Sequence, residues 1–189
     1  MMSLLHNNLP FERGGTFGGA SGMTLSGVSI EKLVGATFVV PDDVHETGAQ
    51  VTLRLVKNDS GSAITFNNQI VRFGTDSKDF GRYVDGTTNV NGMIGLPIDD
   101  AYAASYSIPD NDYFYVVQQG PCDVLSAASA FVGIAHEPVT PNSAGALHQK
   151  RAGAYDFILG TLDADSSAES TAMLVWVDAN LWNPSGSAT

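Results

Sequence analysis

Short apolar runs separated by turn-forming residues dominate the sequence. Residues 51–55 read Val-Thr-Leu-Arg-Leu, an alternation of apolar and polar positions that is typical of a strand with one buried face. Shorter apolar runs at residues 37–40 and 69–73 are followed by Pro or Gly, and residues 171–177 form the most apolar run of the chain. This pattern predicts an all-β protein built from many short strands.

Residues 113–125 carry the clearest strand signal. Aromatic and β-branched residues fill the first half of this stretch, Gly120-Pro121 interrupts it, and Val124 and Leu125 resume the apolar run. We predict a strand, a tight turn and a return strand here. The turn formers at residues 109–112, Pro-Asp-Asn-Asp, mark a boundary before the first of these strands.

These boundaries divide the chain into four predicted parts. An extended Gly-rich N-terminal arm takes residues 1–36, a first β lobe residues 37–112, a second β lobe residues 113–183, and a flexible tail residues 184–189. Each lobe is expected to be a small β-barrel or β-sandwich. A loose alignment of the two halves places Gly81 opposite Gly145, which leaves an internal duplication open.

Glycine dominates the middle of the arm. Residues 13–22 contain five glycines, bury little apolar surface locally and lose much conformational entropy on ordering. Because such a segment would be flexible by itself, we expect a neighbouring subunit or a larger assembly to hold it. Apolar residues at 25, 28, 33 and 34 predict a short amphipathic helical turn after it.

Charge restricts the partners of the protein. The 189 residues include 20 acidic and 9 basic side chains, for a formal net charge of −11, and the basic residues are scattered. Nucleic acid and anionic membranes both attract clustered Lys and Arg, so neither is an expected partner. The sequence shows no secretory signal pattern and no apolar run of about 20 residues, and we expect a soluble protein made in the cytoplasm.

No catalytic motif stands out. The sequence lacks a Gly-x-Ser-x-Gly elbow, a phosphate-binding loop and a dinucleotide fingerprint. Its four histidines are far apart, at positions 6, 45, 136 and 148. Cys122 is the single cysteine, which excludes an intrachain disulfide, and its neighbour Asp123 favours a buried, unreactive thiol.

Acidic pairs occur at residues 42–43, 99–100 and 163–165. They could in principle form a calcium site or a carboxylate pair for acid–base catalysis. Each lies beside Pro, Ala or Ser in a predicted turn, where aspartate is favoured for its hydrogen bonds to the local backbone. We therefore predict no enzymatic activity, no metal site and no cofactor.

Several stretches together resemble a family of viral structural proteins. Residues 51–61, residues 94–99 and residues 108–117 with Gly120-Pro121 are similar to the head decoration, or capsid cement, proteins of tailed bacteriophages, and so are the closing runs at 158–160 and 173–177. The resemblance covers roughly residues 50–178. It implies an all-β protein that binds the outer face of an assembled capsid, commonly as a trimer, and that has no active site.

The expected function is therefore a structural role in the virion, on the capsid surface. The expected partners are the major capsid protein and further copies of this chain, which would form a homotrimer. Residues expected at the capsid or subunit interface are aromatic, apolar or basic: Phe11, Arg13, Phe17, Met23, Leu25, Tyr113, Tyr115, Trp176 and Trp182. An alternative is a fibre or adhesion module that binds carbohydrate through surface Tyr and Trp. A third hypothesis is an acid–base hydrolase that uses the scattered aspartates, although no catalytic motif supports it.

Overall fold

A computed structural model describes residues 9–18, 24–25, 28–74, 81–87, 95–128, 131–142, 144–149 and 158–179. The fourteen strands of these segments are β1 (Thr24–Leu25), β2 (Val28–Ser29), β3 (Thr37–Pro41), β4 (Gln50–Asn58), β5 (Ile64–Thr65), β6 (Ile70–Phe73), β7 (Tyr83–Gly86), β8 (Gly95–Pro97), β9 (Ser107–Ile108), β10 (Tyr113–Leu125), β11 (Pro138–Pro141), β12 (Leu147–Gln149), β13 (Gly160–Leu162) and β14 (Ala172–Asp178). A 3₁₀ helix spans Ile30–Leu33. The all-β prediction is confirmed.

Ten of the described strands form one mixed sheet. Their order is β12-β11-β13-β14-β10-β4-β7-β6-β8, with β3 paired beside β4. Neighbouring strands are antiparallel except β4 and β7, which run parallel. The short strands β1 and β2 pair with each other, as do β5 and β9. No helix in the described segments has the length and apolarity required to cross a bilayer.

Strand β10 is the centre of the sheet. Its first half pairs with β4, and its second half pairs with β14. The predicted turn at Gly120-Pro121 is wrong, because β10 continues unbroken for 13 residues. Gly120 has a positive φ of 109° beside a register shift between Val117 and Gln119, so the backbone irregularity produces a bulge within the strand and not a reversal of the chain.

The buried residues form one hydrophobic cluster. It joins residues of β4 such as Leu53 and Leu55, Phe114 of β10, Val175 of β14, and Leu162 of β13. The cluster therefore draws on both predicted lobes, and the sheet runs through both of them. The alternation predicted for residues 51–55 is confirmed, because the three apolar residues of this stretch are buried and its two polar residues are partly exposed.

The segment after the arm differs from the predicted helical turn. Val28 lies in strand β2, and helical geometry is confined to the four-residue 3₁₀ helix, which ends at Leu33. Val34 is extended, and the flanking Gly35 has a φ of 93°, which terminates the helix. Ile30 is buried and Leu33 is partly buried against the core, so this turn anchors the chain to the core.

Candidate functional site

The N-terminal segment 9–18 is held by its own chain. Arg13 donates from Nε to Oδ2 of Asp99 at 3.0 Å and from Nη2 to Oδ1 of the same carboxylate at 2.6 Å, and it also pairs with Asp43. The Nη2 atom lies 3.8 Å from Oδ1 of Asp100. We call Arg13, Asp43, Asp99 and Asp100 the arm clasp. The arm clasp holds this segment from within the chain, and the expectation that a neighbouring subunit or a larger assembly also holds the arm stays a prediction.

Aromatic side chains extend the contact between arm and body. The ring of Phe11 stacks on Tyr115 at 4.5 Å between centroids and on Phe17 at 5.8 Å. The hydroxyl of Tyr115 donates to the carbonyl of Phe11 at 3.1 Å. Phe17 and Tyr113 exchange two backbone hydrogen bonds of 3.0 Å, so the arm adds a bridge to the edge of β10.

Close backbone approach explains one glycine of the arm. Gly14 has a φ of 74°, and a β-carbon there would collide with the carbonyl of Ala101. The next residue, Gly15, accepts a hydrogen bond from the hydroxyl of Tyr102 at 2.7 Å. The glycine-rich composition therefore serves a tight fit at this point, because only glycine allows both the positive φ and the short separation.

Burial and charge together set the electrostatics of the arm clasp. The side chain of Arg13 is 8% exposed and that of Asp99 is fully buried. Burial lowers the pKa of Arg13, but the hydrogen bond and charge of Asp99 outweigh it and raise the pKa overall, so the guanidinium stays charged. Burial, with the neighbouring charge of Asp99, raises the pKa of Asp100 to about 6.

The loop between β3 and β4 closes the other side of the arm clasp. Asp42 accepts backbone hydrogen bonds from Val44, His45 and Thr47 and a 2.6 Å bond from the Thr47 hydroxyl. Burial raises the pKa of Asp42, but these hydrogen bonds outweigh burial and lower the pKa to about 2. The turn role predicted for this aspartate is confirmed, and the turn also places His45 against Asp100.

His45 faces three carboxylates. Its Nε2 atom lies 3.1 Å from Oδ2 of Asp100 and 3.6 Å from Oδ1 of Asp123, and its Nδ1 atom lies 3.4 Å from Oδ1 of Asp42. Ligand atoms of His45, Asp100 and Asp123 all lie within 4.8 Å of one another. Among the described residues this is the group with the composition and spacing to hold a metal ion.

A second surface lies on the outer face of the sheet. Val39, Thr52, Gln119 and Asp178 stand opposite one another on four adjacent strands. Val39 is 55% exposed, and Trp176 of β14 is 37% exposed. With these residues and their neighbours, strands β3, β4, β10, β14 and β13 line a groove of about 720 Å³, which we call the sheet-face groove.

The predicted interface residues fall into separate places. Those in or beside the arm contact are Phe11, Arg13, Phe17, Tyr113 and Tyr115, whereas Trp176 lies at the sheet-face groove and donates from Nε1 to Asp163 at 2.8 Å. Leu25 belongs to β1. Met23, Trp182 and the predicted tail at 184–189 lie outside the described residues. Contact of any of these with a capsid or a second subunit stays a prediction.

Sequence reasoning missed the meeting of Arg13, His45 and the aspartates. Arg13 and Asp99 are 86 positions apart, and neither lies in a recognised motif. The one signal available was the placement of two acidic pairs, 42–43 and 99–100, directly after apolar runs that end at Pro41 and Ile98. Strand ends gather at the edge of a sheet, and charges there can meet although they are distant in sequence.

The chain is similar to a solved phage structure. No protein-family model matches the chain, and no curated protein matches it. The crystal structure of the head fiber gp8.5 N base of bacteriophage phi29 matches with a TM-score of 0.41 and 10% identity, over 69% of this chain and 97% of that chain. Similarity at this level establishes neither a common fold nor a common role.

Proposed function

We propose that the protein is a structural protein of a tailed-phage virion, a decoration or cement subunit that binds the outer surface of the capsid and links neighbouring subunits. The proposal is supported by the resemblance of residues 50–178 to head decoration proteins and by the all-β body. Its partners are the major capsid protein and further copies of this chain in a homotrimer. It has no enzymatic role, and it is located on the capsid surface.

The observation that carries the proposal is the anchoring of segment 9–18. A cement subunit must transmit load from its contacts to its folded body. The arm clasp and the stacking of Phe11 on Tyr115 join this segment to β10, the central strand of the sheet. A contact made by the residues before Leu9 would therefore pull on the core of the protein and not on a loose tether. Many such contacts on one shell add by multivalency.

Charge supports a place on the outside of a shell. With a formal net charge of −11, the protein is repelled by packaged nucleic acid and has little tendency to bind it. The buried charges of Arg13, Asp99 and Asp42 hold the arm and the β3–β4 loop in place. This structural use of ionisable groups favours a scaffold over an acid–base enzyme.

Co-sedimentation with undecorated capsids of the virus that encodes the protein tests the proposal. We expect saturable binding of the full chain and its presence in purified virions. A deletion of residues 1–8 leaves Phe11, Arg13 and Phe17 in place, so the body stays folded. Any contact that the first eight residues make with the capsid is lost. We expect this deletion to weaken capsid binding at least about tenfold, a loss of about 1.4 kcal/mol.

Deletion of residues 184–189 is the matched control for the deletion at the N-terminus, and we expect it to leave capsid binding unchanged. Absence of the full chain from capsid pellets and from purified virions would overturn the proposal. Normal binding after loss of residues 1–8 would overturn the linking role of the arm. Light scattering tests the homotrimer separately, by the mass of the free protein and of the protein released from capsids.

A second function is favoured by the sheet-face groove. Trp176 is exposed beside the amides of Gln50 and Gln119, an arrangement of one aromatic ring and nearby polar groups that suits stacking on a sugar ring. A fibre or adhesion module would use this groove for carbohydrate. Specific signals on a glycan array that vanish in the variant Trp176→Ala would support this function, and a silent array would count against it.

A further inference from the structure

Three side chains meet at Asp100, on the edge of the arm clasp, without a hydrogen bond from one side chain to another. The Oδ2 atom of Asp100 accepts a hydrogen bond from the backbone N–H of Asp123 at 2.7 Å. His45 comes from the loop between β3 and β4, Asp100 from the turn after β8, and Asp123 from β10. The Nε2 atom of His45 is 3.1 Å from Asp100 and 3.6 Å from Asp123, yet it makes a hydrogen bond of acceptable geometry with neither. The imidazole edge is thus shared between two carboxylates.

Burial makes this arrangement costly unless something else is bound. Both ring nitrogens of His45 and the Oδ1 atom of Asp100 are inaccessible to solvent and have no hydrogen-bond partner among the described residues. The side chain of Asp100 is 3% exposed, and its nearest cation, Nη2 of Arg13 at 3.8 Å, is engaged by Asp99. Buried polar atoms without partners are rare, and each one calls for an explanation such as a bound ion.

The local charge shows which kind of ligand would satisfy these atoms. The carboxylates of Asp42, Asp43, Asp99, Asp100 and Asp123 surround one guanidinium and one imidazole. Negative charge therefore exceeds positive charge in a largely buried region. A cation relieves this imbalance, whereas an anion or a neutral ligand does not.

The spacing fits a small divalent ion. Zinc binds imidazole nitrogen at about 2.0–2.1 Å and carboxylate oxygen at about 2.0–2.2 Å, so neighbouring ligand atoms of a tetrahedral site are about 3.3–3.5 Å apart. The observed separations of 3.1 and 3.6 Å bracket that range. The side chain of Asp123 is 40% exposed, which leaves an opening for the ion and for a water molecule as fourth ligand.

Asp42 occupies the position of an outer-shell partner. Metal-bound histidines almost always have a hydrogen-bond acceptor at the second ring nitrogen, which orients the ring. The Oδ1 atom of Asp42 lies 3.4 Å from Nδ1 of His45, and Asp42 itself is fixed by backbone hydrogen bonds. The structure therefore contains both the three inner ligands and the group that would orient the histidine.

We propose that His45, Asp100 and Asp123 bind one divalent transition-metal ion, and that Zn²⁺ suits this nitrogen-and-oxygen site best. The ion would tie the β3–β4 loop and the turn after β8 to strand β10, next to the arm clasp. Its role is structural, because it joins three segments that carry the arm. The proposal is independent of capsid binding, since it concerns this chain alone.

Titration calorimetry of the full chain with ZnCl₂, after treatment with a chelator, tests the site. We expect saturable binding of one ion per chain and a rise in the unfolding temperature with added Zn²⁺, because an ion that binds only the folded state stabilises it. The variants His45→Asn and Asp123→Asn should each raise the Kd for Zn²⁺ by more than about tenfold.

Two variants serve as matched controls. His136→Asn removes one exposed imidazole, and Asp85→Asn removes one carboxylate that pairs with Arg72, so both should bind Zn²⁺ as the unmodified chain does. If His45→Asn fails to fold, as judged by circular dichroism, the partly exposed Asp123 provides the test by itself. No saturable Zn²⁺ binding, or equal loss of binding in the controls, would overturn the site.

Discussion

Arg13 and Asp99 form a two-pronged ion pair across 86 positions of sequence, with Nε–Oδ2 and Nη2–Oδ1 separations of 3.0 and 2.6 Å. The pair is almost completely shielded from solvent. A guanidinium and a carboxylate in this parallel arrangement gain both strength and directional specificity. The pair therefore fixes the position of the arm along the body. Phe17 provides a second fixed point, through its two backbone hydrogen bonds to Tyr113.

The variant Arg13→Ala should lower the free energy of unfolding by about 3–5 kcal/mol, because it leaves the buried Asp99 without its counter-charge. Chemical denaturation measures the loss. Arg72→Ala is the matched control: it removes the more exposed pair with Asp85 and should cost about 1 kcal/mol or less. Equal losses in the two variants would contradict a special role for Arg13. The double variant Arg13→Met, Asp99→Asn should recover part of the loss.

Gly120→Ala should destabilise the protein by about 3 kcal/mol or more, through strain at positive φ together with a collision inside the sheet. An added β-carbon would lie 2.6 Å from the carbonyl oxygen of Gln50 and 3.0 Å from the α-carbon of Val51, and neither backbone atom can move easily. Gly61 has a φ of 76°, and an added β-carbon there would meet open space. Gly61→Ala should therefore lower the free energy of unfolding by only about 1 kcal/mol. Thermal unfolding of both variants gives the comparison.

The stability contributed by Glu31 should depend on pH. Burial raises the pKa of this carboxyl, but hydrogen bonds donated by Tyr113 and Tyr83 outweigh it and lower the pKa overall. A lowered folded-state pKa gives stability that is present above the unfolded-state pKa of about 4.3 and is lost as the pH falls through the folded-state value.

The difference in unfolding free energy between the unmodified protein and Glu31→Gln should accordingly shrink as the pH falls below about 4. Urea unfolding between about pH 3 and pH 7 measures this difference. Glu12→Gln removes a carboxylate from an exposed site in the arm and is the control, and the change with pH should be larger for Glu31→Gln than for this variant. A constant difference for Glu31→Gln would contradict the assigned hydrogen bonds.

Cys122 should resist thiol reagents in the folded protein. Burial raises its pKa, and the carboxylates of Asp100, Asp99 and Asp123 raise it further, so the reactive thiolate is scarce and also inaccessible. We expect no labelling by a charged disulfide reagent under native conditions and one label per chain in concentrated guanidinium chloride. Rapid labelling of the folded protein would show that the centre of β10 opens far more readily than its burial indicates.

Local patterns were sufficient to predict the strands but not their arrangement. The alternation of residues 51–55 reports one buried face, and β4 contains that stretch. The break expected at Gly120-Pro121 does not occur, because both residues pair in regular register with β14, and this pairing keeps the strand extended against their turn propensity. The irregularity of β10 lies between Val117 and Gln119, in its pairing with β4. Propensity is local, whereas strand pairing draws on partners far along the chain.

The arm was harder to predict than the strands. Its glycines indicated flexibility, but Gly14 permits a close approach to Ala101, and Arg13 finds its partners only when the ends of distant strands come together. The aspartates at 42–43 and 99–100 were correctly placed in turns. Their second role, as counter-charges for Arg13 and neighbours of His45, depends on tertiary positions that spacing along the chain does not contain.

The double pairing of β10 also has a consequence for synthesis on the ribosome. The partner of its first half, β4, is made earlier, whereas the partner of its second half begins only at Ala172. A nascent chain that ends before this strand presents an unpaired edge with apolar side chains, which favours aggregation. Prematurely terminated chains should therefore be insoluble or bound by chaperones, and the protein can accumulate without aggregation only after β14 has been made.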